Sequence, residues 1–234
     1  MNACFAKRHW SILCRMNGWS ARAVHKKAMS KTRCVNGHYV CDECHSKGVE
    51  TILSICLAPT SINPVMILES LMDAPFCHMH GPEHHALVGA SPLTAYANSG
   101  GEINLWDAFL ELLSRGNQVP GGACGFWGAC GTAISTGMFM SIITGSTPLA
   151  EKAFGLANQM TSRALAAIGE IGGPRCCKRD SYISIREVVS FVSEKIGSQM
   201  KSSEVICDHS SQNNQWLGGR CPFSRSITAE LFLP

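Results

Sequence analysis

Apolar residues recur at helical spacing through most of the chain after residue 46. Asn63 followed by Pro64 predicts a capped helix start, because asparagine caps helices and proline fits their first turn. Asn104 and Gly116 predict the two ends of another helix. Further helices are predicted from Pro82, with a kink or restart at Pro92, from Thr147 and Pro148 to about Gly172, and after a capping box of Ser184 and Glu187.

Strand patterns are scarce and are confined to residues 39–40 and 204–207. The sequence therefore predicts a mainly α fold, in which a helical domain is preceded by a small zinc-knuckle-like, turn-rich unit. The predicted organisation is a basic, poorly ordered arm (1–33), the knuckle-like unit (34–46), a helical Cys/His-rich domain (47–200) and an irregular C-terminal segment (201–234).

A long stretch, residues 116–150, contains no charged side chain. A membrane-spanning helix needs about 20 predominantly apolar residues, and here six glycines between residues 121 and 137 interrupt the run. We therefore expect a central helix buried in the fold, whose glycines allow close approach of neighbours or a cofactor. The preceding glycine-rich segment predicts a loop that turns into this helix near Thr132.

The charge of the chain is unevenly distributed. Residues 1–33 contain eight Lys or Arg and no acidic residue, whereas the remainder has 12 basic and 17 acidic residues, a net charge of −5. An acidic body argues against nucleic acid as the partner and leaves an unknown small molecule or a protein, with no membrane. The basic arm is consistent with a targeting-like segment, a nucleic-acid arm or an extension upstream of Met29.

Cysteine and histidine are abundant, with 13 and 9 residues, and most of them lie in short clusters. An odd number of cysteines excludes complete intramolecular pairing, and the N-terminal region lacks the apolar run of a secretory signal. A cytoplasmic location is therefore expected. In a chain of this length the pattern is typical of metal binding or catalysis rather than of a disulfide framework.

The first cluster has the spacing of a zinc knuckle. Cys41-x2-Cys44 presents two sulfurs to one tetrahedral ion, and Cys34 with His38 or His45 completes four ligands. We predict a structural zinc site from Cys34, His38, Cys41 and Cys44; ordinary thiols are the alternative.

The second cluster supplies further metal ligands, Cys77, His80 and His84. His80 and His84 share a helical face if the helix begins near His80. Glu83 lies between them and can ligate, orient an imidazole or act as a base. Histidines that simply stand at a helix start are the alternative.

Four more cysteines are candidates for holding a cofactor: Cys124, Cys130, Cys176 and Cys177. Cys176 and Cys177 form a vicinal pair among basic residues, which predicts lowered thiol pKa values. A basic surface loop is the alternative for this pair.

Five runs carry a resemblance to a known family: CVNGHYVCDECH, PFCHMHGPEHH, QVPGGACGFWGACGTAISTG, GEIGGPRCCKRDS and GGRCPF. From Cys34 to Phe223 the chain resembles the cysteine-rich domain-of-unknown-function family DUF5714. The resemblance implies an anaerobic microbial context, with occasional fusion to methyltransferase domains, and it implies no particular reaction. That context favours an iron–sulfur cluster.

Together these patterns predict a metal-binding protein with a structural zinc site and a second Cys/His site. The second site would hold zinc or an iron–sulfur cluster and serve redox or group-transfer chemistry. One alternative is a non-catalytic, zinc-dependent module that binds nucleic acid or protein. Another is a thiol enzyme that uses Cys176 or Cys177 without metal.

Overall fold

The computed structural model describes residues 10–20, 27–34 and 42–224 of the chain. This part is mainly helical, as predicted. Its eight α-helices are α1 (Asp42–Leu57), α2 (Pro64–Met72), α3 (His84–Asn98), α4 (Leu105–Gly116), α5 (Ala123–Phe126), α6 (Gly131–Ile143), α7 (Glu151–Ile171) and α8 (Cys177–Lys195). Two 3₁₀ turns follow, Ser210–Gln212 and Gly218–Arg220.

Helix α6 lies at the centre of the fold and packs against α3, α4, α7 and α8. It comes from the uncharged stretch, so the prediction of a buried central helix is confirmed. At Gly137 an added Cβ would overlap the Thr161 side chain of α7, which explains the need for glycine where these two helices meet. None of the helices that the structure describes is both long and apolar enough to cross a membrane.

The core is formed by apolar side chains from all of the longer helices. Leu68, Leu87, Phe109, Phe139 and Ile185 are among its fully buried members. Burying a side chain of this size stabilises the fold by about 1.5–3 kcal/mol. The Phe139 ring also meets the Tyr96 ring edge-on, with 6.3 Å between their centroids, which ties α6 to α3.

Two predicted helix caps are confirmed. The Asn63 side chain accepts the backbone N–H of Val65 at 3.0 Å and starts α2. The Asn104 side chain accepts the N–H of Asp107 at 3.3 Å and starts α4, which ends at Gly116 as predicted.

The predicted start of the last helix is wrong. Helix α8 begins at Cys177 rather than after Ser184, because the thiol of Cys176 caps it by accepting the Arg179 N–H at 3.5 Å. Ser184 lies inside α8, buried, and donates to the Thr132 hydroxyl at 3.1 Å.

Several smaller predictions also need correction. Helix α7 begins at Glu151 rather than at Thr147, and α3 begins at His84 rather than at Pro82. Pro92 lies inside α3, so of the two effects predicted for this proline the restart does not occur. Residues 204–207 do not form a strand: the Cys207 N–H donates to the Phe223 carbonyl at 2.8 Å, but no ladder follows.

An antiparallel hairpin precedes the helices, formed by β1 (Trp10–Ser20) and β2 (Lys27–Cys34). It falls almost entirely in residues 1–33, where the sequence predicts a poorly ordered arm. Of the predicted knuckle, Cys34 ends β2 and Cys44 belongs to α1, while His38 and Cys41 lie outside the described residues. The knuckle and the domain boundaries therefore stay predictions.

Candidate metal centre

The loop between α2 and α3 faces the first turn of α8, and three metal-ligating groups meet there. Cys77, Glu83 and His84 each offer one atom (a sulfur, a carboxylate oxygen and an imidazole nitrogen), and these atoms lie within 4.8 Å of one another. No other trio of Cys, His, Asp or Glu in the described part of the chain meets this distance. The loop thus brings three different donor types to one point.

His84 is fully buried at the start of α3 and is fixed in one tautomer. Its Nδ1 lies 3.2 Å from the Gly81 carbonyl, which can only accept, so Nδ1 carries the proton. Nε2 therefore presents its lone pair, and it lies 3.6 Å from the Cys77 sulfur. Burial and, to a lesser extent, the nearby Lys178 lower the His84 pKa to about 3, so the imidazole is neutral, as a metal ligand must be.

Cys77 receives a hydrogen bond from a buried lysine. Lys178, in the first turn of α8, is 2% exposed, and its Nζ lies 3.1 Å from the Cys77 sulfur and 2.8 Å from the Met72 carbonyl. Burial raises the Cys77 pKa to about 11, and Lys178 opposes this shift. Cys77 is thus a neutral thiol at neutral pH.

Glu83 is held by the backbone and side chain of the same loop. Its Oε1 accepts the His78 backbone N–H at 2.7 Å and lies 3.1 Å from His78 Nδ1. An added Cβ at Gly81 would overlap the Glu83 carboxylate. Glycine at position 81 therefore lets the carboxylate fold back over the loop toward Cys77 and His84.

His80 lies beside this trio without joining it. Its Nε2 is 3.3 Å from the Oδ1 of Asn213, a buried residue of the C-terminal segment. The Asn213 amide in turn donates to the Cys176 sulfur at 3.3 Å. His80 is thereby linked to the vicinal pair rather than to Cys77.

The vicinal cysteines are not activated thiols, so the predicted lowering of their pKa values is wrong. Burial raises the pKa of Cys176, and it raises the pKa of Cys177 to about 12 even though Cys177 accepts the Gly81 N–H. The Lys178 side chain donates to Cys77, and Arg179 pairs with Asp180 at 3.0 Å. The charged groups of both neighbouring cations are therefore bonded to residues other than Cys176 and Cys177. A metal-free nucleophilic thiolate gains no support here.

Cys130 and Cys124 lie on the α6 side of the vicinal pair. Cys130 precedes α6, and its sulfur is 3.2 Å from the Thr132 hydroxyl and 4.0 Å from the Asp180 carboxylate. Cys130 is near enough to Cys177 to raise its pKa, and Cys124 has the same effect on Cys130. The four cysteines predicted to hold a cofactor therefore lie between α5 and the start of α8, and none of them belongs to the Cys77 trio.

Residues 52–224 match DUF5714, a family of unknown function. The chain belongs to this family. The match includes the whole trio and begins later than Cys34, so the predicted knuckle lies before the matched range. No curated protein and no solved structure matches the chain.

Sequence reasoning about this DUF5714 chain missed Lys178 and Asn213. Lysine is rarely buried, and Lys178 stands in a basic run that resembles a surface loop. Asn213 lies 133 residues from the histidine that it contacts. Nothing in the local pattern indicates either role, although the Gly-Pro-Glu-His-His run does indicate the loop itself.

Proposed function

We propose that this DUF5714 protein binds a single metal ion through Cys77, Glu83 and His84. The observation that carries the proposal is the fixed His84 tautomer, whose free Nε2 lone pair lies 3.6 Å from the Cys77 sulfur. Metal-ligating histidines characteristically donate their other ring N–H to a carbonyl or carboxylate, as His84 does to Gly81.

Zinc is the ion that this donor set favours. Sulfur, imidazole nitrogen and carboxylate oxygen are all zinc ligands, whereas iron–sulfur clusters are held by several thiolates. The trio contains one thiol. At this position we therefore favour mononuclear zinc over an iron–sulfur cluster.

Three protein ligands leave the fourth position of a tetrahedral ion open, as in catalytic zinc sites. A zinc ion with one thiolate and one carboxylate is neutral overall, and the Lys178 ammonium adds a positive charge 3.1 Å from the sulfur. We propose that the open position binds an anionic group of a small-molecule substrate. Because zinc does not change its oxidation state, group transfer is favoured over redox chemistry.

The structural zinc site from Cys34, His38, Cys41 and Cys44 remains part of this proposal and rests on their spacing alone. The cytoplasm remains the proposed compartment. Two zinc ions per chain are then expected, one at each site.

The zinc content of anaerobically purified protein tests the Cys77 site. We expect Cys77→Ser and His84→Ala each to lose one zinc equivalent. Cys56→Ala is the matched control, because Cys56 is a fully buried cysteine of α1 that is not a member of the trio, and it should keep the wild-type content. If folded Cys77→Ser and His84→Ala proteins keep the wild-type zinc content, the proposal is wrong.

A further inference from the structure

The irregular segment after α8 contains a short loop, residues 209–216, that contacts the candidate metal centre and is here called the flap. Before the flap, the Cys207 N–H donates to the Phe223 carbonyl at 2.8 Å, and the Phe223 ring packs against Tyr182 of α8. After the flap, Leu217 is buried. The flap is therefore a short loop between two anchored points.

One residue of the flap, Asn213, is buried, with 7% of its surface exposed. The backbone hydrogen bonds within the flap are local, and most of its residues are exposed: Ser211, Gln212, Asn214, Gln215 and Trp216. Among the described residues, both hydrogen bonds that join the flap to parts of the chain outside the C-terminal segment are made by the Asn213 side chain. A single side chain thus attaches the flap to the helical domain.

Asn213 joins the two segments that form the candidate metal centre. Its Oδ1 lies 3.3 Å from Nε2 of His80, which belongs to the loop between Cys77 and Glu83. Its Nδ2 donates at 3.3 Å to the sulfur of Cys176, the residue that caps α8 just before Lys178. The flap is therefore bonded both to the loop that carries the trio and to the start of α8.

The Asn213 amide is fixed in one orientation. Its Oδ1 also accepts the Gln215 N–H at 2.9 Å. Because an amide oxygen can only accept, the His80 Nε2 carries a proton and donates it to Asn213. Both polar atoms of the Asn213 side chain are thus used in this closed position, and removing the amide releases the flap from both segments at once.

The closed position also leaves one polar atom unsatisfied. With the proton on Nε2, the Nδ1 of His80 has a lone pair, and this atom is buried without a hydrogen-bond partner among the described residues. A buried acceptor without a partner is destabilising. An exposed loop with few contacts, held through such a residue, has the properties of an element that opens at a low cost in free energy.

We infer that the flap closes over the candidate metal centre, with Asn213 as its latch, and that its opening controls how fast metal ions and substrate reach Cys77. The role of the flap rests on the proposed function, whereas the closure itself requires no metal. Loops that close over a site exclude water from the reacting groups, and their opening often limits how fast ligands exchange. The substrate of such a site is a small molecule that is enclosed when the flap is shut.

Alkylation of the metal-free, full-length chain with iodoacetamide tests this inference, with each modified cysteine identified by peptide mass spectrometry. Asn213→Ala should raise the alkylation rate of Cys77 on the order of tenfold, because two hydrogen bonds between neutral groups are lost. The matched control is Asn214→Ala, which changes the exposed neighbouring asparagine of the same flap and should keep the wild-type rate. Cys56, fully buried in α1, should stay unreactive in every folded variant. A wild-type Cys77 rate in folded Asn213→Ala overturns the inference.

The variant His80→Ala decides the question if Asn213→Ala fails to fold, which reactive Cys56 would reveal. It removes the bond between the latch and the loop, so the Cys77 rate should again rise while Cys56 stays unreactive. Adding His80→Ala to folded Asn213→Ala should raise the rate no further, because both changes remove the same bond. An unchanged Cys77 rate in His80→Ala, or additive effects in the double variant, overturns the assignment of the latch.

Zinc exchange with a chromophoric chelator distinguishes a flap from a residue that only positions the ligands. In Asn213→Ala, zinc should enter and leave the Cys77 site on the order of tenfold faster with unchanged affinity, because the flap supplies no ligand. Weaker affinity without faster entry would make Asn213 a positioning residue and overturn the flap. A wild-type chain that binds no zinc at Cys77 refutes the proposed function instead, and alkylation, which needs no metal, still decides on the flap.

Discussion

The buried ion pair at the start of α8 offers the sharpest stability test. Arg179 and Asp180 are 2% and 4% exposed, and their side chains meet at 3.0 Å. The Arg179 guanidinium also donates to the carbonyls of Gly172 and Pro174 at 3.0 and 3.2 Å. The turn that carries Cys176 and Lys178 is therefore held by this one side chain.

Replacing Arg179 by methionine keeps the apolar stem and removes every one of these donors. Breaking a buried pair from one side costs about 3–5 kcal/mol, because the remaining charge is left uncompensated. Burial already raises the pKa of Asp180 against the opposing effect of Arg179. Without Arg179 the folded-state pKa rises further, so the variant loses stability as pH rises above the unfolded-state pKa. Its deficit should be smaller at mildly acidic than at neutral pH.

Urea unfolding at the two pH values measures this effect. Glu111→Gln is the matched control, since it breaks an exposed Arg115–Glu111 pair of 2.7 Å and should cost only about 0.3–0.5 kcal/mol. The double variant with Arg179→Met and Asp180→Asn should recover part of the loss, because no buried charge remains. A cost for Arg179→Met as small as that of Glu111→Gln would refute this reasoning.

The remaining predictions concern the loop and the helical core. Gly81→Ala should weaken zinc binding at the Cys77 site by at least about tenfold in a competition titration, because the added methyl group would displace the Glu83 carboxylate, which we propose as a ligand; an unchanged affinity would contradict the assignment of Glu83 as a ligand. Asn63→Ala should lower the free energy of unfolding by about 1 kcal/mol through loss of the α2 cap, and an unchanged value in urea would contradict the capping role. Phe139→Ala should cost about 3–5 kcal/mol in the same assay, since a fully buried ring is lost from α6; a cost below 1 kcal/mol would show that α6 is not central.

The helix ends that are formed by common capping residues could be predicted from the sequence. Asn63 and Asn104 bond to the first turns of α2 and α4, and Gly116 ends α4. The start of α8 was missed because its cap is a thiol, which is not among the usual capping side chains. Serine is a common capping residue, which is why the pattern at Ser184 predicts a helix start. In the structure Ser184 lies inside α8, and its hydroxyl donates to the Thr132 hydroxyl across the core.

The sequence predicted the ligand types of the candidate site better than their grouping. Cys77 and His84 were predicted together, and seven residues of loop are enough to bring them into contact. Cys207 and Cys221 are isolated along the chain, and their two segments meet through the hydrogen bond from the Cys207 N–H to the Phe223 carbonyl. Such long-range convergence depends on tertiary packing, which has no signature in local spacing.

Anomalous diffraction at the zinc edge, from crystals of anaerobically purified protein, tests whether Cys77, Glu83 and His84 hold a zinc ion. We predict an anomalous peak among Cys77, Glu83 and His84, about 2.3 Å from the sulfur and about 2.0–2.1 Å from Nε2. Well-ordered side chains for these three residues with no peak between them, in crystals that show zinc elsewhere, would contradict it.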